Sequence, residues 1–364
     1  MRTSEADNLG SQQAFVLRAG SWLRRIAPAL GVFLMAPLTA EYLLGYDTST
    51  GDLGALLFGL IFFAPLYGGP ALLIREIARR AGRGWPSMLL LGVGFGVIQA
   101  GLIDHSLFNT SYRDIDYWQE LLDPTFIPVL GIGASMALNF IAGHAIWSFS
   151  VPIAIFETLA PSRRTTPWLG KLGLAIVVVL YLCVATLIFL DHVESEQFLP
   201  SAPQLIGAAA VVVALFGAAF AVGRRPQPPV DLPAPNPWLV GALAFAAFSL
   251  PMLIEIVLAV LGTPISFESS WWGVAVSGVL MLGLAITAAR WSRLVGWGDT
   301  HRLALAGGAL LTHVWIAFLV EPLGDVALPD KLIHNAAFAL GALVLLALAA
   351  RTANRAPGAN TIKP

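Results

Sequence analysis

Glu41 is the first side chain in this sequence with chemistry to offer. It stands in APLTAEYLLG (Ala36–Gly45), one helical turn after Pro37, within an apolar run that begins near Ile26. A carboxylate is costly to hold inside a membrane-length apolar run, so it marks a functional site. Pro37 has no N–H and frees a carbonyl in the turn before it, which predicts a kink beside the acid. The same Pro-x-x-x-Glu spacing returns at Pro251 and Glu255. An imidazole follows each copy two spans later, His105 in GLIDH and His313 in ALLTH.

Two carboxylates and two imidazoles at similar depth can hold a divalent metal such as zinc, since both ligand types suit it. They can equally relay protons, because burial pushes Glu up and His down toward neutral pKa values. A further polar set, Asn139, His144 and Ser148, lies in one long apolar run. Asn139 shares a helix face with Gly143, and His144 shares the adjacent face with Ser148. The candidates for binding substrate or protons are thus Glu41, His105, Asn139, Glu255 and His313.

What must position these groups is a membrane bundle. The chain is 57% hydrophobic and 12% charged, which no soluble globular domain matches. Apolar runs of about 20 residues recur along it, each long enough to cross the hydrocarbon core. We read an all-α polytopic bundle of ten spans, over 25–46, 53–75, 86–105, 127–158, 168–190, 203–222, 237–262, 271–290, 302–320 and 332–350. Of the 21 Lys and Arg residues, all but Arg113 and Lys331 fall at one end of this arrangement. The positive-inside rule then puts both termini in the cytoplasm of a cell-membrane protein. The other end is acidic.

The organisation follows: an amphipathic cytoplasmic segment over 1–24, spans 1–6 over 25–222, and a proline-rich linker over 223–237. Spans 7–10 fill 238–350, and 351–364 form a polar tail, expected to be disordered. PLYGGP (Pro65–Pro70) predicts a broken second span. In the third, Gly92, Gly96 and Ala100 form a small-residue stripe for close helix approach, with Gln99 beside it. The loop Ser106–Pro124 reads as an interfacial segment or a cap. Spans 5 and 6 read as plain packing helices. The repeated Pro-x-x-x-Glu and the later histidines predict a parallel repeat of spans 1–4 and 7–10.

Other classes find no support. Net charge is −1, which favours no nucleic-acid partner. Walker and dinucleotide motifs are absent, so no nucleotide is expected. Cys183 is the single cysteine and can form no internal disulfide. The partners expected are membrane lipid and a small-molecule or peptide substrate.

The run IREIARR, then FGVIQ (Phe95–Gln99), then HAIWS (His144–Ser148), resembles the CPBP (Abi/CAAX-processing) intramembrane endopeptidases over about 75 residues. On that resemblance Glu76 and Arg80 match the end of a Glu-Glu-x-x-x-Arg motif. Phe95 matches the start of Phe-x-x-x-His, and His144 the start of His-x-x-x-Asn. Arg75, Gln99 and Ser148 stand where the family has Glu, His and Asn. The resemblance implies a catalytic set of Glu76, Arg80, Gln99 and His144. Three functions are therefore open: a proton-coupled transporter or permease using Glu41 and Glu255, a membrane-embedded Glu/His hydrolase, and a scaffold whose polar groups only join helices.

Overall fold

The structure, a computed structural model, describes residues 25–222, 230–263 and 266–355. The segment 1–24, the linker positions 223–229 and the tail positions 356–364 lie outside the described residues.

Ten long helices follow one another: α1 over 25–42, α2 Leu53–Arg80, α3 Trp85–Ile103, α4 Ala134–Leu159 and α5 Lys171–Ser195. They continue as α6 Ala202–Ala221, α7 Pro237–Val260, α8 Trp271–Trp291, α9 Asp299–Ile316 and α10 Leu328–Arg355. Eight of them, all except α1 and α9, are long and apolar enough to cross a membrane. The chain is a multi-pass membrane protein.

Local sequence sets the starts. Asp52 accepts the Ala55 N–H at 3.0 Å to begin α2. Ser201 and Gln204 form a capping box at α6, and Asn236 accepts from Trp238 at 2.9 Å before α7, which has Pro237 in its first turn. Each cap satisfies a backbone donor that the helix leaves free.

The ends of the bundle differ in charge. At the basic end, buried Arg75 meets Glu76 at 3.1 Å and Glu157 at 3.0 Å, and Arg79 meets Glu157 at 2.6 Å. Arg75 also lies 3.2 Å over the Trp168 ring. There Val230–Pro233 pairs in parallel with Leu294–Val295. At the acidic end, residues 105–125 fold into a cap around buried Trp118, whose indole donates to the Asn109 carbonyl at 3.0 Å.

The interior has one core among α1–α6, around Leu72, Ile74, Phe95, Phe149 and Tyr181. A second joins α1 and α4 to α9 and α10, around Met35, Trp147, Ile155, Leu310 and Ala349. Helices α1 and α4 serve both and form the seam. The stripe on α3 lies against α4, with Gly92 beside the Ala145 backbone and Gly96 beside the Ile141 carbonyl.

Three boundaries depart from expectation. The second span is not broken: α2 runs from Leu53 to Arg80, and a π-helical turn at Ala64–Gly68 absorbs the Pro/Gly sequence. The Gly69 N–H reaches back to the Ala64 carbonyl, so the helix widens instead of unwinding. The fourth run starts later, at Ala134, because Phe126–Ile127 and Ile132–Gly133 form a small antiparallel hairpin ahead of it. The last helix runs to Arg355, so the first five tail residues are helical.

The expected repeat of spans 1–4 and 7–10 does not extend to local helix geometry. Helices α1–α4 each contain a π-helical turn, at Leu38–Tyr42, Ala64–Gly68, Ile98–Ile103 and His144–Ser150. Among the described residues α7–α10 contain none. The two quartets differ in local geometry.

Candidate functional site

The four π-helical turns surround one cavity of about 750 Å³. A π turn inserts an extra residue, so its carbonyls lose their regular partners and its side chains rotate off the regular helix phase. Such turns gather at functional sites in helical proteins. Here every one contributes to the wall: Glu41 from α1, Tyr67 from α2, Gln99 from α3, and His144, Trp147 and Ser148 from α4. Prolines lie in or beside three of the turns: Pro37 before the first, Pro65 within and Pro70 after the second, and Pro152 after the fourth. The rest of the wall comes from α5, α7, α8 and α9 and from the cap residues Tyr112, Arg113 and Trp118.

Glu41 accepts a hydrogen bond from the Tyr46 hydroxyl. The Tyr67 hydroxyl is its second hydrogen-bonding neighbour. Among the described residues no Lys, Arg or His lies within ion-pair distance of this carboxylate. The Tyr67 ring stacks on His144 with centroids 5.7 Å apart, and His144 Nδ1 lies 3.2 Å from the Ser148 hydroxyl. The Gln99 amide donates to Asp104 at 3.1 Å, and the Ser106 N–H donates to the same carboxylate at 2.9 Å.

The floor is a polar knot of three helices. Thr39 donates to the Trp147 carbonyl at 2.7 Å, and the Trp147 indole donates to the Ala309 carbonyl at 2.8 Å. His313 stacks on Trp147 and hydrogen-bonds the Thr39 backbone. Its Nδ1 is buried with no hydrogen-bond partner.

Residues of the acidic end, among them Asp47, Tyr112, Arg113 and Glu268, line one side of the cavity. Arg113 meets Asp47 at 3.1 Å. Burial works against the Arg113 charge, but the hydrogen bond and charge of Asp47 more than offset it, so its pKa rises. Tyr112 stacks on His192, and burial holds its hydroxyl well above the usual tyrosine range. Glu268, in the loop before α8, is pushed up to about 7, first by burial and then by the charge of Glu255.

The structure thus gathers Glu41, Gln99, Asn139, His144 and His313 around one space. The other candidates lie elsewhere. His105 is buried edge-on against Phe189, with neither ring nitrogen hydrogen-bonded. Glu255 accepts the Glu268 N–H at 2.9 Å and the Ser266 hydroxyl at 3.3 Å; Pro251 reaches the cavity wall but Glu255, one turn on, does not. Glu76 accepts the Trp168 N–H at 2.7 Å and pairs with Arg75 and Arg80, so it anchors the basic-end loop. Among the described residues no three His, Cys, Asp or Glu side chains come together as a metal site.

Sequence reasoning passed over Tyr46, Tyr67, Trp147 and His192. Tyr67 had a readable signal, a hydroxyl set between prolines and glycines at membrane depth. His192 had none, because nothing local says that the end of α5 meets the cap.

No curated protein and no solved structure matches the chain. The resemblance to intramembrane endopeptidases finds no support from a family match, whereas residues 32–357 match the profile of an uncharacterized membrane protein family. The chain belongs to that uncharacterized membrane protein family.

Proposed function

We propose that this protein is a proton-coupled transporter whose cavity opens toward the outer face of the membrane. The observation that carries this reading is the wall of four π-helical turns, with Glu41 on it, held by two tyrosine hydroxyls and, among the described residues, with no cation within ion-pair distance. A carboxylate in that setting can change protonation state without breaking an ion pair, which a coupling site requires. Ionisable side chains inside a membrane bundle mark proton relays and substrate paths. Helices widened by π turns also give the first four spans a soft point at the same depth.

The orientation rests on charge. The arginine-rich end belongs in the cytoplasm by the positive-inside rule, which puts both termini there and leaves the acidic-end side of the cavity toward the outside. The Arg75–Glu76–Glu157–Arg79 cluster then forms a closed cytoplasmic side, and alternating access requires it to part.

The endopeptidase reading uses Glu76, Arg80, Gln99 and His144 as one set. The first two belong to the basic-end ion cluster and the last two to the cavity wall, so the geometry favours transport.

The test is proton flux in proteoliposomes carrying an internal pH dye. Wild-type protein under an imposed pH gradient, with candidate solutes supplied on the opposite side, should move protons, and Glu41→Gln should lower the rate at least about tenfold, as expected when a relay group is lost. Unchanged flux in Glu41→Gln would overturn the proposal. Peptide cleavage lost in His144→Ala, without any flux in wild type, would move the protein to the enzyme class.

A further inference from the structure

We propose that the cavity takes an organic cation with an apolar body, which pairs with Glu41 in exchange for its proton. This deepens the transport reading and rests on it for direction, though not for binding.

Charge points the same way around the whole space. Among the described residues its wall carries six carboxylates, Glu41, Asp47, Asp104, Asp191, Glu268 and Glu321, against Arg113 as the one Lys or Arg. That arginine is already tied to Asp47 at the acidic end. Low-dielectric walls lined by one sign of charge focus potential and concentrate the opposite ion. An anion of any shape meets an unfavourable field here.

Size and chemistry narrow the cation. Among the described residues the acids do not cluster into a set that could chelate a small metal ion. A space of about 750 Å³ falls within the range of sites for drug-sized molecules. Between the acids the wall is largely apolar and aromatic, with Tyr67, Trp118, Phe140 and Phe248 facing the space. Ring faces attract cations, most strongly once water is excluded. A delocalised or alkylated cation loses little hydration on entry, and its apolar body is matched by these walls.

Glu41 is the carboxylate placed to pair with it. The groups around Glu41 are the hydroxyls of Tyr46, Tyr67 and Tyr42, the Asp47–Arg113 pair, and Tyr112 beyond them. The tyrosine hydroxyls of Tyr46 and Tyr67 hold the carboxylate in place without neutralising it. The exchange balances: a protonated Glu41 releases one proton to solvent as one cation arrives, leaving an ion pair with no net change of charge in the site.

The experiment uses two ions of nearly equal shape and opposite charge, tetraphenylphosphonium and tetraphenylborate, with the purified full-length protein in detergent. Tryptophan fluorescence should report saturable binding of the phosphonium at least about tenfold tighter than of the borate, a difference of about 1.4 kcal/mol. Binding should weaken as pH falls and release one proton per cation in weakly buffered solution. Glu41→Gln should weaken phosphonium binding at least about tenfold. Equal binding of the two ions by wild type, a comparison that needs no variant, would overturn the inference. So would undiminished binding by a folded Glu41→Gln. Selective, Glu41-dependent phosphonium binding without flux in proteoliposomes would uphold the inference and overturn transport. Glu41-dependent flux with equal binding of the two ions would do the reverse.

Discussion

The indole of Trp147 and the imidazole of His313 lie parallel, with centroids 4.1 Å apart and planes within 6°. This stack joins the π-helical turn of α4 to α9, and Thr39 from the turn of α1 bonds to both partners. Three helices meet at one point, directly below the cavity.

Removal of the indole should therefore loosen the bundle as well as the site. Trp147→Ala loses the stack, the hydrogen bond to Ala309 and the contact with Phe248. A buried Trp→Ala truncation costs about 3–5 kcal/mol. Thermal unfolding in detergent should show a large drop in midpoint, while His313→Gln, which keeps a polar group there, should show a smaller one. Equal midpoints for wild type and Trp147→Ala would contradict this account.

The α7–α9 contact depends on Gly308. A Cβ added there would lie 2.5 Å from the Gly241 carbonyl oxygen and 2.7 Å from the Phe245 nitrogen, both backbone atoms of α7. Neither can rotate aside, so the helices must separate. Gly308→Ala should destabilise by about 1–3 kcal/mol, the usual cost of overpacking. Gly278→Ala, inside α8 where nothing lies within 4 Å, serves as the control and should keep or slightly raise the unfolding midpoint, since Ala is the better helix former.

Glu76 and Glu41 should separate stability from activity. Glu76 and Arg75 are both fully buried and paired. Without Glu76, buried Arg75 must share Glu157 with Arg79, which leaves the cluster one negative charge short and costs up to about 3–5 kcal/mol. Glu76→Gln should lower the unfolding midpoint strongly and leave phosphonium affinity in the folded fraction near wild type. Glu41→Gln should do the opposite. A Glu76→Gln variant with wild-type stability would remove the structural role assigned to it.

The acidic-end loop should respond to pH near neutrality. Burial first, and the Glu255 charge second, raise Glu268 from 4.5 to about 7. The folded loop therefore holds its proton more tightly than the unfolded chain does. Its stability is greatest below about 4.5, falls as pH rises toward 7, and levels off above that. Hydrogen exchange over residues 266–270, corrected for intrinsic rates, should show more protection at pH 5 than at pH 8. Glu268→Gln should abolish the difference; a slope that persists in this variant belongs to another group.

Much of the architecture was legible in the sequence because its causes are local. Transfer of an apolar run into lipid sums over the residues of that run, so the helices can be read one by one. The segregation of Arg75, Arg79, Arg163, Arg164 and Arg293 from Asp47, Asp104 and Glu268 is likewise written in linear order. Even the α3 stripe needed only its spacing. The second span was misread as broken because prolines and glycines forbid a regular helix but do not say whether the chain unwinds or widens. Neighbours decide that. Packing of Gly68 against the Phe33 backbone requires the helix to stay compact there.

The site was legible only in part, for a related reason. Pro37–Glu41 and Pro251–Glu255 have identical spacing, yet one acid faces the cavity with Tyr46 and Tyr67 and the other turns to residues 266–268. Each residue rotates a helix by about 100°, and a π turn shifts that phase further, so spacing alone cannot fix which way a side chain points. The sequence by itself determined that this chain is a membrane bundle with one basic end, one acidic end and a few costly polar groups within. The tertiary structure alone decided which of those groups share a space, because that choice depends on helix rotation and on contacts between residues far apart in the chain.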